Sequence, residues 1–126
     1  MREPQPGLLC VEYVTPDDLK VASQAALLKR LEEKRGRVVI VFDVGPTVRS
    51  VPMDVPTFWL GVTGRRELQL VGMAIVTNSS AVRVAAQGFG LANLARRIPT
   101  KVSTFKNGPA AEAWGVELLK GADVAA

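Results

Sequence analysis

Apolar and polar positions alternate along the chain in two rhythms, short runs of strand type and wider spacings of helix type, each repeated four times. The central strand block is Arg37 to Gly45, RVVIVFDVG. Val38 to Phe42 are all apolar, and four of those five residues are β-branched. Basic residues precede the run, and Asp43, Gly45 and Pro46 close it. Such a segment is expected to be buried on both faces, in the middle of a parallel sheet. Gly7 to Val14, GLLCVEYV, is a first strand that alternates around Glu12 and so belongs nearer an edge. Leu68 to Thr77 is a third, with Met73 to Val76 its buried part. Lys101 to Phe105, KVSTF, is a fourth, alternating and placed at an edge.

Helix signals lie between these blocks. Thr15-Pro16-Asp17-Asp18 combines a cap, a proline suited to the first turn and two carboxylates facing the positive end of the dipole. Val21, Ala25, Leu28 and Leu31 recur on one face, with Lys20, Gln24 and Glu33 elsewhere, and the helix should stop between Lys34 and Gly36. Pro46, Pro52 and Pro56 break the next stretch, so only a short helix capped by Asp54 and carrying Phe58, Trp59, Leu60 and Val62 fits; an irregular loop anchored by Phe58 and Trp59 is the alternative. Asn78-Ser79-Ser80 opens a helix over 81–97. Its inner face carries Val82, Ala85, Ala86 and Phe89, then Ala92 or Asn93, and Pro99 ends it. Asn107-Gly108-Pro109 turns into a last helix with Ala111, Trp114 and Leu118 inward.

Strands alternating with helices imply right-handed crossovers and an α/β fold, with a four-stranded, mostly parallel sheet in the order βαβαβαβα. The spatial order 1-2-3-4 would place the helices on one face and leave the other to a partner or a tail. Residues 7–120 then form a single domain, with 1–6 and 121–126 as flexible tails.

Composition narrows the chemistry. The chain has 126 residues, 48% hydrophobic and 22% charged, an ordinary globular balance. Histidine is absent and Cys10 is the single cysteine, which removes the commonest general base and any structural zinc site. One thiol and an N-terminus without signal-peptide character point to a reducing cytoplasm, and no segment is long and apolar enough for a membrane span. The net charge is +4, yet the basic residues are scattered toward helix ends without aromatic interleaving, so nucleic acid is not expected as a partner.

Three segments carry a family likeness: Val38 to Val44, VVIVFDV; Ala74 to Arg83, AIVTNSSAVR; and Lys101 to Trp114, KVSTFKNGPAAEAW. Together they make the chain from Thr15 to Leu119 resemble STAS-type domains, and among these the small bacterial STAS-like proteins similar to anti-sigma-factor antagonists. The resemblance implies a regulatory fold that works by protein contact. Anti-sigma antagonists carry a phosphorylatable serine in an Asp-Ser-Ser-Gly-like turn after the central strand. Here that region reads Ser50-Val51-Pro52-Met53-Asp54-Val55-Pro56-Thr57, and the motif is missing.

In an open parallel sheet, ligands and partners meet the loops at the carboxyl ends of the strands. That assembles Asp43, Gly45, Thr47, Ser50, Asn78, Ser79, Ser80 and Lys106. Asp43 suits a polar anchor, or simply a cap on a loop amide. Ser79 and Ser80 suit an anion at a helix start with Arg83 one turn inward, or plain capping. Phe58 and Trp59 suit either the core or an exposed hot spot. The expected function is a non-enzymatic binding or regulatory module without catalytic residues, metal or cofactor, acting on an unidentified protein partner as a homodimer. An apolar surface over 52–64 or on the Gly88 helix would support it. The alternative is a carrier for a small anionic or lipid ligand.

Overall fold

The structure is a computed structural model that describes residues 1–125, with side chains to Gly121. Strands β1 (Arg2–Gln5), β2 (Leu8–Tyr13), β3 (Val38–Val44), β4 (Leu70–Val76) and β5 (Lys101–Phe105) form one sheet in that order. Pairing is parallel from β2 to β5 and antiparallel between β1 and β2. Helices α1 (Val21–Glu32), α2 (Asp54–Thr63), α3 (Ser80–Ala95) and α4 (Gly108–Ala125) alternate with the parallel strands. The expected order of those strands therefore holds. The count does not, because the sheet has five strands where four were expected.

The fifth strand comes from the segment assigned to a frayed tail. Pro6-Gly7 turns β1 back onto β2, and Gly7 has φ of +89°, a conformation that favours glycine. Glu3 fastens the strand. Its carboxylate accepts from the Gly7 N–H at 3.1 Å and pairs with Lys34 Nζ at 2.5 Å. At the other end, α4 continues through 121–125, also assigned to a tail; Ala126 lies outside the described residues.

As its sequence requires, β3 is buried on both sides, with only Asp43 exposed. Helices α1, α2 and α3 cover one face, over a core that includes Leu9, Ile40, Phe42 and Met73. On the opposite face α4 lies over Leu8, Val39, Val41 and Ala74, burying Ala111 and Leu119. The chain thus supplies its own cover for the face that a one-sided arrangement would leave bare. Since no strand follows α4, the right-handed crossover rule does not constrain its side. The approach is close: a Cβ at Gly72 would stand 2.3 Å from Leu118 Cδ2.

Two helices depart from expectation. Pro16–Leu19 is a 3-10 turn, and the extended backbone of Lys20 separates it from α1. The buried face of α1 is Gln24, Leu27 and Leu31, while Ala25 is exposed. A polar residue turns inward because it has partners there. The Tyr13 hydroxyl donates to Gln24 Oε1, and Gln24 Nε2 donates to the Asp18 carbonyl at 2.7 Å. Helix α2 forms as expected but opens at Met53, with Asp54 already helical and not capping.

Candidate functional site

The candidate residues do not converge on one site. Asp43, next to last in β3, faces the α4 side, where it lines a cleft of about 170 Å³ with Arg2, Cys10, Glu12 and Glu112. Arg2 Nη2 pairs with Glu112 Oε2 at 2.8 Å and ties β1 to α4. Burial pushes the Cys10 thiol up, as does the Glu112 carboxylate, and Arg2 works against them. No group of three or more cysteine or carboxylate side chains stands in metal-holding geometry among the described residues.

Ser50, Asn78, Ser79 and Ser80 lie in the loops on the other side of the strand ends. Ser79 is the cap of α3. Its Oγ accepts from the Val82 N–H at 3.3 Å and donates to the Arg49 carbonyl at 3.3 Å, while its own N–H donates to Thr77 Oγ1 at 3.0 Å. Those bonds commit the hydroxyl proton and one of its lone pairs to the loop and the cap. Ser50, Asn78 and Ser80 are exposed, and Arg83 is half-buried.

Trp59 belongs to the core, 4% exposed, with its ring edge-on to Phe42 and Phe58. Phe58 is half-buried. Trp59 also lines an apolar cavity of about 80 Å³ between α2, α3 and the sheet, with Tyr13, Phe42, Val55, Met73 and Phe89. Ser79, Ser80 and Arg83 are outside its lining. An engineered apolar cavity of about 150 Å³ holds a benzene molecule, so this one is small even for a single ring.

The surface with the strongest signature is away from these side chains, on the outer side of the Gly88 helix, α3, one of the two surfaces where exposed apolar residues are expected of a binding module. Val84, Leu91 and Leu94 on the outer side of α3 are 66%, 67% and 72% exposed. Val84 and Leu91 are two turns apart and share a face, with exposed Gly88 between them. Leu91 and Leu94 border a groove of about 820 Å³ that runs past Ile98 and Val102 to Trp114 on α4. Met53, at the mouth of α2, is 80% exposed.

This side is also electrostatically one-signed. Residues 68–111 contain Arg83, Arg96, Arg97, Lys101 and Lys106 but no acidic residue, whereas the remaining eleven basic and twelve acidic residues nearly cancel. The excess positive charge of the chain therefore falls on Arg83 of α3, Lys101 of β5, and Arg96, Arg97 and Lys106 in the loops that flank β5. Both signals were present in the sequence: α3 has apolar residues at outer as well as inner positions, and the acid-free stretch can be counted directly.

Comparison with known proteins gives no matching family model, curated protein or solved structure.

Proposed function

We propose that this chain is a non-enzymatic, STAS-like binding module that acts through protein–protein contact, and that the α3–β5 side is its contact surface. The observation that carries the reading is the clustering of Val84, Leu91 and Leu94, each about two-thirds exposed, on one helix beside an open groove. Scattered exposed apolar residues are ordinary, but a contiguous patch rimmed by charge is characteristic of interaction sites. Among the described helices none is long and apolar enough to cross a membrane, so a membrane span does not account for the patch. The carrier reading has less behind it, since the apolar cavity is well below the roughly 300 Å³ at which ligand pockets begin.

The test is a charge substitution that leaves the core untouched. A tagged wild-type chain and the variant Leu91→Asp/Leu94→Asp are purified gently from the native host. The variant is expected to keep its melting temperature and to lose a stoichiometric protein that the wild type retains. Identical retention by both, or a small molecule bound in place of a protein, would overturn the proposal.

A further inference from the structure

Strand β5 is the last strand of the sheet, and among the described residues no further strand pairs with its outer edge. The opposite edge, β1, carries Pro4, is bulged between Arg2 and Gln5, and engages Glu3 with Lys34. These are standard devices that keep a sheet edge from pairing with another chain. β5, sequence KVSTF, carries only Lys101 of these devices, with no proline, and pairs with β4 in unbroken register.

The direction of its free groups follows from one bond. The Phe105 carbonyl accepts from the Thr77 N–H at 2.9 Å, so Phe105 faces β4. Alternation along the strand then turns the N–H and C=O groups of Val102 and Thr104 outward. The groove bordered by Leu91, Leu94 and Trp114 runs along this edge, apolar walls rising on both faces of the sheet.

Resting on the function proposed above, we propose that the partner binds as an extended segment that adds a sixth strand to the β5 edge, and that this segment alternates acidic with apolar residues. Main-chain bonds to Val102 and Thr104 would supply affinity over about 16 Å of strand, and the groove would take apolar side chains. The acidic character follows from charge: every ionised group between Ser80 and Ala111 is basic. A second copy of this chain is the weaker occupant, because self-pairing would set one basic edge, with Lys101 and Lys106, against another. Nucleic acid is disfavoured as well. The groove is walled by leucines, and Phe105 and Trp114 are half-buried and packed against each other, with ring centroids 5.6 Å apart.

The experiment is selection of a displayed library of random nine-residue peptides on the intact protein, followed by amide hydrogen exchange with a synthetic representative. The enriched sequences should alternate Asp or Glu with Val, Ile or Leu. The representative should slow exchange at Val102 and Thr104, lose binding when N-methylated at alternate residues, and bind roughly tenfold more weakly to Lys101→Glu/Lys106→Glu. No enrichment, enrichment without acidic residues, or protection elsewhere than those two amides would overturn the proposal. So would a free protein that sediments as a dimer with both amides already protected, or tighter binding of an oligothymidine than of the peptide. If the Leu91→Asp/Leu94→Asp variant still loses its partner while these tests fail, the contact surface stands and only the strand-addition mode falls.

Discussion

Removing the Tyr13 hydroxyl tests why α1 turns a glutamine inward. Gln24 is 1% exposed and Tyr13 7% exposed, so neither can exchange its partner for water. Tyr13→Phe leaves the ring packed against Phe42 and takes the donor from Gln24 Oε1. A buried acceptor left without a donor costs about 1–3 kcal/mol. Gln24→Leu strands the Tyr13 hydroxyl and the Asp18 carbonyl and should cost at least as much. The double variant leaves only the Asp18 carbonyl unpaired, so its loss should fall short of the sum of the singles by about 1–2 kcal/mol. Urea unfolding followed by tryptophan fluorescence at pH 7 measures all three.

The same pair carries a pH signature. Burial raises the Tyr13 pKa above its ordinary value near 10, with the Gln24 bond opposing the shift. Below pH about 10 the phenol is neutral in both states and its contribution is complete. Above that, only the unfolded chain ionises readily, so stability should fall by up to about 1.4 kcal/mol per pH unit until the folded-state pKa is reached. Tyr13 is the one tyrosine in the chain, so absorbance reports its ionisation alone. Additive losses in the three variants, or the same alkaline slope in Tyr13→Phe, would refute the reasoning.

Gly7→Ala should cost more than about 2 kcal/mol, because it places a side chain at φ of +89° with its Cβ 2.6 Å from the Arg37 carbonyl oxygen; thermal unfolding measures it. Thr63→Val is isosteric but removes the 2.8 Å bond to Asn93 Oδ1, and Asn93 Nδ2 already lacks a partner among the described residues, so a loss of about 1–3 kcal/mol is expected by denaturant titration. Glu3 is held below its ordinary pKa by its bond to Lys34 and by the Gly7 N–H. The stability it contributes is therefore present above about pH 4.5 and lost as pH falls through the lowered folded value. Glu3→Gln should abolish that acid dependence in melting curves taken between pH 6 and 2.

The parallel strands and the helices between them were legible because each announces itself locally. The β-branched run of β3 and the Pro16, Asn78 and Gly108 punctuation need no tertiary information. β1 was not, since Arg2–Gln5 has two charges and a proline and gains its strand character only from pairing with β2 and from the Glu3–Lys34 contact. The inward turn of Gln24 depends in the same way on Tyr13, a residue from another element. Asp43, Ser50, Asn78, Ser79 and Ser80 belong together by nearness to strand ends, but side chains on a strand alternate between faces. That alternation sends Asp43 to the α4 side, whereas Ser79 caps α3 and Trp59 sits on α2, both helices of the opposite face. The α3–β5 surface was within reach through the apolar outer positions of α3 and the acid-free run, but the openness of the β5 edge and the groove beside it required the assembled sheet.

Photo-crosslinking in the native host, from a reactive residue placed at position 94 and, as control, at position 26 on the exposed side of α1, tests the central claim most directly. The account predicts one dominant protein adduct from position 94, attached through an acidic segment, and none from position 26. Equal adducts from both positions, or none from either while a partner still copurifies, would contradict it.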